Sequence, residues 1–350
     1  MTLLTTVGAR PQFVKAAVVS RVLRRTIGLH RSQTIEAHAE DRTKPPYQPQ
    51  MKTDMQTSIS ITTNSHQRNL HLQAEQHPLV DDQSFPSIEG YINHLIHLKA
   101  YDEAARFVAG KAVLDVGCNA GYGIEVLAAT ATLVAGIDVS PQAVKAAQTR
   151  LGAKADIRLY NGVQCSFAAR SFDVATSFQV IEHVSDYKAY LSEIVRLLRP
   201  DGMVVFTTPN ARLRLDPGMK PWNEFHVREF SPSELKELLS TSFDSVEIRG
   251  LFGEDELHQI ECKRCARARV AARSRPASPR PTLGGTVKRA LPWLVPVRNR
   301  VRKWTRREQE PARLARTDIA RFSTQDLFYK TDSLDEALDL MAICRNARKQ

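Results

Sequence analysis

The sequence predicts an α/β fold: a doubly wound, mostly parallel sheet of seven strands, with a basic segment inserted before the last one. Three observations predict it. Short apolar runs alternate with segments of helical apolar spacing over most of the chain from residue 75, and strands alternating with helices build a parallel sheet. The first of those runs passes directly into a glycine-bearing loop, Gly117-Cys118-Asn119-Ala120-Gly121-Tyr122-Gly123. The motif-bearing loops follow strands, so they gather at the carboxyl ends of the sheet, where ligands of such folds sit.

Taken in order, residues 3–25 read as a short strand, a Gly-Ala-Arg-Pro turn and a helix. Residues 41–70 are rich in Thr, Ser, Gln, Pro and Lys, with almost no apolar periodicity, and read as linker. Residues 88–109 have helical apolar spacing. Residues 112–117 (AVLDVG) and 132–139 (TLVAGIDV) are buried strands, the first followed by the helix GIEVLAAT. Ser140-Pro141 supplies an N-cap and a first-turn proline to the next helix. DIRLYN is a third strand and residues 172–180 (FDVATSFQV) a fourth. The helix over 187–198 stops at Pro200-Asp201-Gly202, and residues 203–210 (MVVFTTPN) are a fifth strand. Ser231-Pro232-Ser233-Glu234 is a capping box opening the next helix. Residues 243–253 are a sixth strand and residues 338–345 (LDLMAICR) a seventh. The expected organisation is an N-terminal piece (1–40), a flexible linker (41–74), a core (75–253), a basic insertion (254–335) and a last strand with tail (336–350).

Hydrophobic residues make up 42% of the 350, enough for a real core, which excludes wholesale disorder. No run approaches the ~18 apolar residues of a membrane-spanning helix. Arg10 and Lys15 interrupt the first apolar stretch, unlike a secretory signal. Five scattered cysteines suggest no disulfide framework. The simplest compartment is the cytoplasm. The net charge of +11 invites a nucleic-acid reading. However, residues 262–320 hold 17 Lys+Arg against 3 Asp+Glu, while the remainder holds 32 against 35. The body is nearly neutral, and the charge belongs to one segment.

The glycines after the first strand let the backbone turn sharply and approach a ligand closely, and the following helix adds its positive dipole end. The second strand ends in Asp138, an acid placed to accept from the two hydroxyls of a ribose. The ligand reads as a nucleoside-containing cofactor.

VLDVGCNAGYG, GIDVS, SFDVATSFQVIEHV and LLRPDGMVVFTTPN resemble, in order and spacing, the motifs of class I S-adenosylmethionine-dependent methyltransferases, whose fold is Rossmann-like. The flanking phrases EQHP, HLKAYDEAARFVAGK and NEFHVREFSPSEL resemble the subgroup found among bacterial small-molecule and glycan methyltransferases. The resemblance implies S-adenosylmethionine as cofactor. Gly117, Cys118, Gly121 and Gly123 would line its methionine and ribose portion, and Asp115 would fix that loop. Asp138 would bind the ribose and Val139 would pack on the adenine. Asn161 stands where the family often has an acid accepting from the adenine amine. Asn119 replaces the usual middle glycine, and Asn tolerates left-handed backbone angles. Phe178 and Gln179 should border the cofactor and the reacting centre.

Such chemistry is an in-line displacement at a sulfonium methyl, and it needs alignment and exclusion of water. A hydroxyl nucleophile also needs its proton removed. His183, after the fourth strand, and His226, after the fifth, are the candidate bases. No metal site is expected, because no acid or second histidine stands at a metal-site spacing around either. Cys262-Lys263-Arg264-Cys265 is a lone pair of cysteines in a loop, too few ligands for structural zinc.

Two segments fall outside this pattern. TVGARPQFVKAAVVSRVLR resembles the opening strand, turn and helix of bacterial UDP-N-acetylglucosamine 2-epimerases, with Arg10 in the nucleotide-diphosphate turn. It covers about 25 residues, too few to bury a core, and reads as a remnant or a misplaced start. Residues 280–307 mix Trp, Leu and Val with Arg and Lys, which suits an anionic membrane surface. The expected activity is O-methylation of a sugar, glycan intermediate or related small metabolite. The alternatives are an RNA methyltransferase gripping through the basic insertion, and a non-catalytic cofactor-binding scaffold.

Overall fold

The computed structural model describes residues 69–70, 72–274, 314–315 and 321–348. The epimerase-like piece (1–40) and the basic stretch 280–307 lie outside the described residues.

Each predicted helix start has its chemistry in place. Ser87 opens α1 (Ile88–Val108) by accepting from the Gly90 amide. Ser140 opens α3 (Pro141–Leu151) by accepting from Ala143, with proline in the first turn. Asp186 opens α4 (Tyr187–Leu197) by accepting from Ala189, and Asn210 opens the short α5 (Ala211–Arg214) by accepting from Arg212. Ser231 and Glu234 form a reciprocal capping box at α6 (Pro232–Leu239). Caps of this kind contribute about 1 kcal/mol each. The short α2 (Tyr122–Leu127) has no side-chain cap; Gly121, in the left-handed region, starts it.

The main sheet has eight strands. Two more, β1 (Ser84–Phe85) and β8 (Leu314–Ala315), pair separately. The parallel part comprises β2 (Ala112–Val116), β3 (Leu133–Asp138), β4 (Asp156–Leu159), β5 (Phe172–Phe178) and β6 (Leu198–Pro209). The order across the sheet is β4-β3-β2-β5-β6-β10-β7-β9. There β7 is Phe243–Gly253, β9 is Leu327–Lys330 and β10 is Asp339–Ala347. Strand β10 inserts antiparallel between β6 and β7, pairing Asp339 with both Pro209 and Leu251. The reversal at β2/β3 against β5 sets the switch point beside the glycine loop.

Both faces of the sheet are covered, so successive residues of one strand feed different cores. Val113, Val174, Val205 and Met341 pack with Tyr101 and Ala104 of α1 and Leu127 of α2. Leu114, Ala175, Phe206 and Ala342 pack with Ile194 of α4 and Leu235 of α6.

The sheet gains one strand over the expected seven. β9 lies on the outer edge of β7, antiparallel to it. Its four residues sit in a polar stretch that gives no periodicity to read. The expected insertion 254–335 is also partly structured: it begins with α7 (Asp255–Arg273), which buries Leu257 and Cys265. The two cysteines of the CxxC therefore stand on a helix and not in a loop. Strand β6 starts at Leu198, ahead of the expected 203; a register shift between Phe172↔Leu198 and Val174↔Met203 absorbs the Pro-Asp-Gly turn. The stretch expected as linker ends in helix at 69–70 and 72–76. Among the described residues, no helix is long and apolar enough to cross a membrane.

Candidate active site

The loop after β2 is built by backbone geometry that few residues accept. Gly117 has φ +80° and its amide donates to Ile137 O at 2.7 Å. Asn119 adopts φ +45°, as its type permits. Its side-chain oxygen accepts from the Ala120 amide at 2.8 Å and the Val80 amide at 3.0 Å. Gly121 has φ +81° and donates to Cys118 O.

The expected glycines divide by role. Gly117 borders the cavity. Gly121 faces the body: a Cβ there would stand 2.8 Å from Leu151 Cδ1 and 3.2 Å from Ala147 Cβ. Gly123 faces the Tyr101 ring, which occupies the space a side chain would need. Cys118 lines the cavity wall and is 1% exposed.

Asp138 ends β3 inside the cavity. Its Oδ1 accepts the Ser140 amide at 2.8 Å and its Oδ2 the Asn119 amide at 2.9 Å. Burial pushes its carboxyl up, and those two amides oppose the rise. Asp115 lies beneath the loop, fully buried. Tyr101 donates to its Oδ2 at 3.0 Å and Thr176 to its Oδ1 at 2.7 Å. Burial pushes Asp115 up to about 6, against those two hydrogen bonds. Its hydrogen bonds tie β2 to α1 and β5, and it does not line the cavity.

Val139, Phe178 and Gln179 also line the cavity. Phe178 meets Tyr101 edge-on at 4.8 Å. Gln179 has φ +56°, a strained angle for its type. Its amide donates to Asp339 Oδ2 at 2.9 Å and Thr207 Oγ1 at 3.2 Å. Asn161 departs from the expected adenine contact. Its oxygen accepts the Val163 and Gln164 amides of its own turn, and its neighbours Tyr160 and Gly162 reach the cavity instead.

The cavity holds about 670 Å³ and runs from this loop to the histidines. Rings of His183 and His226 meet edge-on at 4.8 Å. His183 Nδ1 is 2.9 Å from Phe225 O, which can only accept, so that nitrogen carries the proton. His226 Nδ1 is 2.7 Å from Glu229 Oε1 and is protonated for the same reason. Glu229 is itself held by Arg214 Nε at 2.9 Å. Burial pushes Glu229 up, but the bonds to His226 and Arg214 outweigh it and hold the carboxyl below its ordinary value. Burial lowers His183 to about 3, helped by His226 and His77 nearby. Burial raises Glu182 to about 7.

The fold creates a contact that spacing along the sequence does not show. Glu182, His183 and His226 each bring a ligand atom within 4.8 Å of the other two. Other wall residues were also unassigned. Asn69 donates to His183 O and Gln73 to Phe225 O, both at 2.9 Å, so the supposed linker braces the histidine loops. His77 meets His183 edge-on at 5.2 Å; it sits in the EQHP phrase, which marked the segment without assigning a role. Arg264, from α7, and Trp222 complete this end.

The arrangement suits a nucleoside sulfonium: a left-handed glycine turn, a carboxylate at the end of the next strand and aromatic walls. Comparison with known proteins agrees. The methyltransferase domain family matches residues 91–242. A "Probable S-adenosylmethionine-dependent methyltransferase" of Mycolicibacterium smegmatis is 35% identical over 190 residues, which are 53% of this chain and 73% of that protein. One so described from Mycobacterium tuberculosis is 32% identical over 169 residues, 48% of this chain and 61% of that protein. A ubiquinone biosynthesis O-methyltransferase of Thiobacillus denitrificans is 38% identical over 107 residues, covering 29% and 46%. The chain belongs to the S-adenosylmethionine-dependent methyltransferases, and S-adenosylmethionine is its cofactor.

Proposed function

We propose that the chain transfers a methyl group to a hydroxyl oxygen of a sugar, glycan intermediate or related small metabolite. The observation that carries this reading is the histidine pair. His183 and His226 line the same cavity as Gly117 and Asp138, and each has its Nδ1 proton tied to an acceptor. That leaves Nε2 of each ring as the atom for handling a proton at the acceptor oxygen. An oxygen acceptor gains most from such a pair, because a hydroxyl holds its proton more tightly than an ammonium or a thiol. The O-methyltransferase named above, which shares part of this domain, supports an oxygen acceptor.

Asp138 and the loop 117–121 hold the cofactor's nucleoside, and Phe178 and Gln179 wall the reacting centre. The helical turn at 72–76 and the segment 222–226 close the acceptor side, keeping water from the transfer. The basic residues of 280–307 would dock such an enzyme at an anionic bilayer carrying lipid-linked acceptors; sedimentation with anionic vesicles that fades at high salt would support this.

The test is to incubate the full chain with methyl-labelled cofactor and extract of its host, then to identify the labelled product. A methyl ether on a glycan or small polyol is the expected result. Label that is removed by ribonuclease, or found on nitrogen, would sink the reading.

A further inference from the structure

We propose that Glu182, His183 and His226 bind one divalent transition-metal ion, of the zinc or cobalt kind, which receives the acceptor oxygen in the cavity that Gly117 and Asp138 also line. The observations are independent of one another. One ligand atom from each residue lies within 4.8 Å of the other two, a separation that modest side-chain adjustment closes around an ion with bonds of about 2.0–2.2 Å. The set of two imidazoles and one carboxylate suits zinc and its neighbours better than magnesium or calcium.

Both histidines are already arranged as ligands. A metal-bound histidine donates its outer ring N–H to a carbonyl or carboxylate, which fixes ring and tautomer. His183 Nδ1 donates to Phe225 O at 2.9 Å, and His226 Nδ1 donates to Glu229 Oε1 at 2.7 Å. Glu229 is anchored in turn by Arg214. The Nε2 atoms remain for the ion. His183 Nε2 is 4.0 Å from Glu182 Oε1, too far for a hydrogen bond.

Glu182 supplies the third observation. It is fully buried, and its Oε2 accepts from Thr208 Oγ1 at 3.0 Å. Its Oε1 is buried with no hydrogen-bond donor among the described residues. A carboxylate oxygen left without a donor in the interior is costly. A cation between Oε1 and the imidazoles removes that cost; simple packing of the three residues does not.

Three protein ligands leave a position open, as catalytic zinc sites do. The part that deepens the function rests on the O-methylation reading. A hydroxyl set on the ion would release its proton to solvent more readily, and with the ion bound this would take the place of direct proton removal by Nε2 of either histidine. Expansion to five-coordination would open a second position and favour an acceptor with adjacent oxygens, as in a vicinal diol of a sugar.

The experiment uses the full chain, stripped with EDTA and titrated with Zn²⁺ against a competing chelator, and with Co²⁺ by visible absorption. One ion per chain is expected. Glu182→Gln, His183→Ala and His226→Ala should each weaken Zn²⁺ binding by at least about 100-fold. Glu229→Gln should weaken it by roughly 10–100-fold, as loss of an outer partner does. Unchanged cofactor affinity by calorimetry shows that each variant is folded. Stripping should slow methyl transfer at least tenfold, with recovery on adding Zn²⁺. No ion bound, wild-type affinity in all three ligand variants, or full rate in EDTA each overturns the proposal. Ligand-dependent Zn²⁺ binding without any methyl ether product supports the site and rejects the O-methylation reading instead.

Discussion

The Tyr101 ring occupies the space a side chain at Gly123 would need, and the Tyr101 hydroxyl donates to Asp115 at 3.0 Å. One residue of α1 thereby fixes both the strand before the glycine loop and the helix after it. Gly123→Ala must displace that ring. Overpacking of this kind costs about 1–3 kcal/mol. Denaturant unfolding should show this loss. Reduced cofactor affinity at unchanged stability would return Gly123 to the cofactor-facing role that its motif position suggests.

Asp138, at the end of β3 in the cavity, is the carboxylate proposed to hold the nucleoside. Asp138→Ala should weaken S-adenosylmethionine binding by about 1.5–3 kcal/mol, the scale of hydrogen bonds to a charged group. The carboxylate also holds the Asn119 and Ser140 amides, so Asp138→Asn, which keeps one acceptor oxygen, should lose less. Calorimetry on both variants decides; unchanged affinity in the alanine variant removes Asp138 from the site.

What was legible in the sequence was what local chemistry determines. The apolar runs of β2, β3 and β5, the caps Ser140 and Ser231, and the left-handed tolerance of Asn119 all appear where their residue types dictate. The illegible parts depend on contacts distant along the chain. Asn69 and Gln73 sit in a polar stretch with no periodicity, yet they brace His183 and Phe225. Gly121 and Gly123 have the spacing of a ligand loop, yet they answer to Ala147, Leu151 and Tyr101. Glu182 and His226 come together only because the Val227 and Arg228 amides donate to Glu182 O, tying two loops together. No spacing rule sees such a contact.

Asp115 should leave a mark on the pH dependence of stability. Its carboxyl titrates at about 6 in the folded chain, against an ordinary value of 3.8, because burial disfavours its charge. Between those values the folded state holds a proton that the unfolded state has released. Stability from this group is therefore greatest at low pH and is lost as pH rises through 4 to 6, by about 3 kcal/mol in all. Asp115→Asn keeps the shape and removes the titration. The difference between wild type and variant, followed by urea unfolding from pH 4 to 7, should fall across that window and then level off. A flat difference would mean that Asp115 is not buried as an ionised group.

His226 and Glu229 should behave as a unit. The 2.7 Å contact fixes the His226 tautomer and points Nε2 away from Glu229, while Arg214 keeps the carboxylate charged and in place. On the proposed reading, His226→Ala removes either the imidazole that takes the acceptor's proton or a ligand of the ion that acidifies the acceptor. Turnover should drop by about 10²–10⁴-fold, with cofactor affinity intact. Glu229→Ala leaves the imidazole present but free to choose its tautomer and rotate, so the loss should be smaller. Because Glu229 acts only through His226, the double variant should be no slower than His226→Ala alone, the non-additivity expected of contacting residues. A cycle of three variants, assayed for kcat and for cofactor binding, tests this. Fully additive losses would show that Glu229 acts on the reaction independently of His226. A loss under threefold in His226→Ala would transfer the proton-handling role to His183, whose Nδ1 is held by Phe225 O in the same way.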